Sequence, residues 1–214
     1  MSGSKAKQAR ENTAARLQAV KAAQARQSRK RKLLWAGGGT VAVALVGSLV
    51  AVALINDPPP PSAASIEIAG LQTFENLTSA HVATPVSYPQ SPPVGGDHAS
   101  AWLNCGVYSQ PVPAENAVHA LEHGAVWASY DPAAVSEADV ETLRKALPGT
   151  YTVLSPLAGT ASPIMLSAWG AQVGVDSPTD ERIKAFVTKF WQSPNAPEPG
   201  AACTGGIDAP GRTA

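Results

Sequence analysis

The pattern of apolar and polar positions changes twice along this 214-residue chain, and the changes divide it into three stretches. Residues 1–32 are polar almost throughout, with Leu17 and Val20 nearly alone among large apolar residues. Leu33 to Ile55 is an apolar run of 23 residues without a charged side chain. As a helix it would span about 34 Å, enough for a hydrocarbon core of about 30 Å. Beyond it the apolar positions come in short blocks separated by Pro and Gly, the pattern of a folded body rather than of a second span.

Within the body the periodicity predicts mixed elements. Ile66–Leu71 alternates and reads as a short strand. Residues 83–113 hold many Pro and Gly and read as a long ordered loop. Ala114 to His123 reads as a helix stopped by Gly124. Ala125–Tyr130 reads as a strand. Ser136, with Asp139 three residues on, opens a second helix that Pro148-Gly149 ends. Thr150–Leu154 and Pro163–Trp169 read as strands. Ser177-Pro178 opens a third helix whose Ile183, Phe186, Val187 and Phe190 form one apolar stripe. From Pro194 onward the chain reads as an irregular wrap. The expectation is an α+β fold: a small mixed sheet with three helices and a long Pro/Gly-rich loop, preceded by one transmembrane helix. The organisation expected is a basic tail over 1–32, an anchor over 33–55, a Pro-rich spacer over 56–65, a folded domain over 66–207 and a flexible C-terminus over 208–214.

Charge sharpens the membrane reading. The formal net charge is zero, but residues 1–32 carry ten Lys or Arg against Glu11, and the remainder carries six basic against fifteen acidic residues. A cationic tail near +9 thus precedes an acidic body near −9. Arg29 to Lys32 abut the apolar run, so the positive-inside rule places the N-terminus in the cytoplasm and the body outside the cell membrane. The tail is suited to anionic lipid at the inner surface of the bilayer; its charge alone is no ground for a nucleic-acid partner. Ala51-x-Ala53 offers a signal-cleavage step, but the basic region and the apolar run are both longer than a signal peptide needs. Pro58 to Pro61 reads as a stiff polyproline spacer.

The only cysteines, Cys105 and Cys203, lie in the body, on the oxidising side by this topology. A disulfide between them is the expectation. The competing reading joins Cys105 to a metal site.

All four histidines, His81, His98, His119 and His123, fall within 43 residues. Residues four apart on a helix lie about 40° apart around its axis, which puts His119 and His123 on one face. His98 follows Pro92-Pro93-Val94-Gly95-Gly96-Asp97, where prolines set the path and glycines allow close approach. The expectation is that His98, His119 and His123 converge on a transition metal, copper or zinc. Glu122 or Asp97 would receive the second ring N–H of a ligand. His81 is a further candidate on a less constrained loop. His119-Ala-Leu-Glu-His123 also fits the H-x-x-E-H motif of zinc peptidases, with Glu122 as a base.

Ser91-Pro-Pro-Val-Gly-Gly-Asp-His98, Trp102, Gly106-Val-Tyr108, His119-Ala-Leu-Glu-His-Gly124 and Tyr130 together resemble domain-of-unknown-function family 3105. Ser167-Ala-Trp-Gly170 and Pro197-Glu-Pro-Gly-Ala-Ala-Cys203 resemble its actinobacterial members. Val94-Gly95-Gly96-Asp97 departs from the Thr-Ser-Gly-Pro expected of the family but keeps the glycine before the histidine. The resemblance covers about residues 66–206. It implies a bacterial protein often carried on one membrane anchor, and it places His98, His119, Glu122 and His123 inside the family motif. Three functions stay open: a membrane-tethered metal-binding domain, a non-enzymatic structural or interaction module serving a membrane-protein partner, and a metal-dependent hydrolase.

Overall fold

The computed structural model describes residues 62–213, and a six-stranded mixed sheet organises them. The strands are β1 (Gln72–Thr73), β2 (Gly106–Val107), β3 (Val126–Tyr130), β4 (Thr152–Pro156), β5 (Ile164–Ala168) and β6 (Ala171–Val175). Their spatial order is β1-β6-β5-β3-β4-β2. β2, β4 and β3 run parallel, whereas β3-β5, β5-β6 and β6-β1 are antiparallel. The helices are α1 (Ala114–Glu122), α2 (Glu137–Ala146) and α3 (Glu181–Phe190). This is the expected α+β class.

Each helix begins where its local chemistry allows. The Ser136 hydroxyl caps α2 by accepting from the Asp139 N–H, and Asp180 caps α3 by accepting from the Arg182 N–H. α3 therefore starts at Glu181 rather than at Ser177-Pro178, which forms the preceding turn. Pro113 precedes α1, and Gly124, at φ +93°, turns the chain out of it. A Cβ at Gly124 would lie 3.1 Å from the Gln192 Cα, so the position needs glycine for space as well as for its dihedral.

The strands β4 and β5 are buried along their whole length because both faces of the sheet are covered. One face is apolar. Val126, Ala128, Leu154, Ile164, Leu166, Val173 and Val175 meet Leu143 of α2 and Ile183 and Phe186 of α3. On the other face Trp127 and Val153 meet Ala117, Ala120 and Leu121 of α1, together with Leu103, Tyr108 and the cysteines. That face also carries buried Ser129, Ser155, Ser167 and Gln172. The Trp127 indole N–H donates to the Ser155 hydroxyl, and the Gln172 amide donates to the Pro92 carbonyl. α1 is thus enclosed between the sheet and an outer layer of loop and C-terminal wrap.

Several expectations change. Ile66–Leu71 is not a strand: the Leu71 N–H bonds back to Ile68 across a turn at Gly70, and pairing starts only at Gln72. The strand expected at Thr150–Leu154 runs Thr152–Pro156, after Tyr151 at φ +50°. β6 was not anticipated; Trp169-Gly170, with Gly170 at φ +70°, forms the tight connection that pairs Ala171 back with Ala168. Residues 208–213, read as flexible, are bonded to the body: Ser109 N–H donates to the Gly211 carbonyl and Thr213 N–H to the Val107 carbonyl. Cys105 and Cys203 are joined, with Cα atoms 5.4 Å apart across 98 residues of sequence. Among the described residues no helix is long and apolar enough to cross a membrane. The basic tail, the expected anchor at 33–55 and the first part of the spacer lie outside them.

Candidate metal centre

The candidate ligands reach one point from three segments. His119 and Glu122 come from the last turn of α1, on its side away from Ala117, Ala120 and Leu121. His98 comes from the inner run of the long loop, where Pro92 to Gly95 are buried. A Cβ at Gly95 would come within 2.7 Å of the Leu77 side chain and 3.2 Å of the Trp169 ring, so glycine lets the loop lie this close to its cover. His81 comes from the outer run of the same connection, which in the structure extends from the end of β1 to β2 rather than beginning at residue 83. A parallel bridge pairs it with His98: the Val82 N–H donates to the His98 carbonyl at 2.8 Å, and the His98 N–H to the Ala80 carbonyl at 3.0 Å.

The side chains then converge on the Glu122 carboxylate. Its Oε2 lies 2.9 Å from His98 Nε2, 3.6 Å from His81 Nε2 and 4.0 Å from His119 Nε2. One donor atom from each of the four residues lies within 4.8 Å of every other. Ligands at about 2.0–2.1 Å from one zinc ion are roughly 3–4 Å apart, so the widest pair would need to draw in by about 1 Å. The group can hold a metal ion.

Hydrogen bonds decide which ring nitrogens face inward. The Nδ1–H of His98 donates to the Gly96 carbonyl at 2.8 Å, and that of His119 to the Ala99 carbonyl at 2.7 Å. A carbonyl can only accept, so Nδ1 carries a proton in both rings, and Nε2 is the nitrogen that each ring turns toward Glu122. Burial is the main influence on His119, lowering its proton affinity below the ordinary 6.5; the Ala99 carbonyl opposes this, and the nearby His123, His98 and His81 rings add to the lowering. The neutral, ligating form of His119 is therefore favoured.

The set differs from the sequence expectation in three ways. His123 does not join it. Its Nδ1–H donates to the Ala202 carbonyl at 2.6 Å, and its Nε2 lies 3.6 Å from Glu198. His123 is the C-cap of α1, and the wrap packed against that end captures the ring. His81, the further candidate, does belong to the set, and Glu122, expected as outer support, offers a carboxylate oxygen to the group itself. Asp97 supports no histidine; its carboxylate accepts from the Ala80 N–H and its carbonyl from the Tyr88 hydroxyl. The outer supports of the rings are the carbonyls of Gly96, Ala99 and Ala202, which no side-chain pattern could reveal. The His119 and His123 rings lie 4.6 Å apart between centres, but their Nδ1–H groups bond different carbonyls and only His119 belongs to the four grouped donors. Cys105 is bonded to Cys203 and is not in the set.

Two tryptophans complete the surroundings. Trp169 sits edge-on to His98 at 6.0 Å between ring centres. Trp102 lies 5.8 Å from His119 and 5.3 Å from His123, and its buried Nε1 has no hydrogen-bond partner. A cavity of about 320 Å³ lies elsewhere, between Gly106, Val107, Leu154 and the end of α2, and none of its lining residues belongs to the cluster.

A family model described as "Protein of unknown function (DUF3105)" matches residues 81–205. No curated protein and no solved structure matches the chain. The match covers more than half of the chain and takes in all four histidines, Glu122 and both cysteines, so the protein belongs to the DUF3105 family.

Proposed function

We propose that the folded body binds one divalent transition metal, copper or zinc, through His81, His98, His119 and Glu122, and that the apolar run at 33–55 tethers it to the outer side of a cell membrane. The observation that carries the metal reading is the approach of three imidazole Nε2 atoms to within 4.0 Å of one Glu122 oxygen. The donor set supports the choice of metal. Imidazole with a carboxylate suits Cu²⁺ and Zn²⁺, and the group contains no sulfur donor of the kind Cu⁺ prefers. The tether rests on sequence: an apolar run of spanning length with Arg29 to Lys32 on one side and an acidic body on the other.

The test is elemental analysis and titration calorimetry on the full chain in detergent. One equivalent of Zn²⁺ or Cu²⁺ is expected, and loss of that equivalent in Glu122→Gln. Absence of binding by the unmodified chain would end the metal reading. Topology is tested with reporters active only outside the cytoplasm: one fused after Ala214 is expected to be on and one after Lys7 off.

A second reading has its own support. The 2.9 Å His98–Glu122 contact, with the carbonyl bonds of the rings, ties the loop to α1 without any metal. In that reading the domain is an interaction module, and chelator leaves its melting temperature unchanged.

A further inference from the structure

The loop that supplies two of the four donors is not uniform. Its inner run is buried from Pro92 to Gly95 and again at His98. Its outer run, residues 75–91, contains no buried residue. The donors follow this division. The side chains of His98, His119 and Glu122 are 0–4% exposed, whereas that of His81 is 46% exposed. The outer run is held by five bonds: two main-chain bonds at His98, the Asp97 carboxylate on the Ala80 N–H, the Tyr88 hydroxyl on the Asp97 carbonyl and the Glu115 carboxylate on the Val86 N–H. Segments with little burial and few bonds open locally at low free-energy cost, while fully buried ones open with the whole domain. His81 can therefore leave the centre while the other three donors stay in place.

We propose that His81 is the exchange ligand of this centre and that the domain carries its metal as exchangeable cargo. This rests on the metal reading above. The divalent ion is held by His98, His119 and Glu122. It arrives and leaves on the His81 side, where an incoming nitrogen or oxygen donor forms a bond to the metal as the His81 Nε2 bond breaks. The step is ligand substitution; the oxidation state does not change, and His81 departs as a neutral imidazole. A metal site closed by four buried ligands serves structure, whereas a replaceable fourth ligand leaves a position open. The half-exposed His81 gives this centre the second character. The acidic body, six basic against fifteen acidic residues after residue 32, favours the approach of a cation over that of an anion.

The experiment uses the full chain in detergent, loaded with one equivalent of Zn²⁺ or of Cu²⁺ and mixed rapidly with an excess of a colour-forming chelator for Zn²⁺ or of EDTA for Cu²⁺. Chelator absorbance follows Zn²⁺, and recovery of tryptophan fluorescence follows Cu²⁺, since Trp169 and Trp102 lie within about 6 Å of the ligand rings. His81→Ala is expected to retain the equivalent and to release it at least tenfold faster. His81→Asp, which restores an oxygen donor, is expected to slow release again, a recovery that a purely structural role for His81 would not produce. His98→Ala is expected to lose stoichiometric binding. Release from His81→Ala at the unmodified rate would overturn the inference and leave the metal reading standing. So would loss of all binding in His81→Ala when its melting temperature is unchanged. Failure of the unmodified chain to bind would overturn both.

Discussion

The two faces of the sheet are both covered, and they do different work. The buried cluster under α2 and α3 is made of Val, Ile, Leu, Ala and Phe, with Tyr130 packed against it and Thr152 at its edge. The face under α1 holds Ser129, Ser155, Ser167 and Gln172, and above them His98, His119, Glu122 and His123. Burying a polar group without a partner is costly. Most of these groups have one: Trp127 on Ser155, Gln172 on Pro92 and Ser167, the ring N–H groups on carbonyls. The exceptions among the buried side-chain atoms described are Ser129 Oγ and Trp102 Nε1, and both residues belong to the α1 side. The apolar face supplies stability that is insensitive to pH and metal. The polar face carries the group of donors that could hold a metal ion.

The largest effect is expected on the apolar face. Phe186 is fully buried there, and Phe186→Ala is expected to lower unfolding free energy by about 3–5 kcal/mol. Chemical denaturation of the metal-free and metal-loaded chains should show the same loss in both. A loss that depended on metal would blur the division between the faces.

On the polar face, Glu122→Gln and His123→Ala separate the centre from its neighbour. Glu122→Gln removes the negative charge from the point where three Nε2 atoms meet, and metal affinity is expected to fall by more than the roughly 10–100-fold that loss of an outer support costs. His123→Ala breaks the bond to the Ala202 carbonyl, worth about 1 kcal/mol, and is expected to keep one equivalent of metal. Calorimetric titration distinguishes the two; equal loss in both would restore His123 to the ligand set.

The pH response should also belong to the polar face. The proton affinity of His119 is lowered in the folded protein, chiefly by burial. The unfolded chain then takes up this proton more readily, starting from the ordinary value of 6.5. The contribution to stability is fully present above that value and is lost as pH falls below it, toward the folded value. Metal affinity should fall over the same range, since proton and metal compete for Nε2. Denaturation curves of the metal-free chain at pH 7.5 and 5.0 check the first point, with a shallower pH slope expected in His119→Asn.

The smallest effect is expected at Glu141 on the solvent side of α2. The Arg144 guanidinium holds this carboxyl down at about 2, but the pair is fully exposed and screened by water. Glu141→Gln should leave the melting temperature unchanged in calorimetry, although the contact is as short, 2.7 Å, as any in the centre.

What could be read in the sequence was whatever depends on neighbours in the chain. Ser136 with Asp139 marks the start of α2, Gly124 the end of α1, and the blocks at Val126–Tyr130 and Ile164–Ala168 are legible as strands. β6 went unread, although the Gly170 turn and the spacing of Ala171, Val173 and Val175 carry its pattern, whereas β1 and β2 are two residues each and leave no periodic trace. Histidine content and clustering pointed to the right 43 residues. Membership of the ligand set did not follow, because α1 presents Glu122 and His123 on the same turn and periodicity alone does not say which one faces the loop. That was decided by long-range packing: the wrap brings the Ala202 carbonyl to His123, and the loop brings His98 to Glu122. The meeting of His81 with His98, seventeen residues apart in an aperiodic loop, depends on main-chain bonds that any residue types could make. The sequence determined which side chains can ligate a metal. Only the tertiary structure decided which four share one space, because backbone carbonyls, invisible to side-chain patterns, orient the rings.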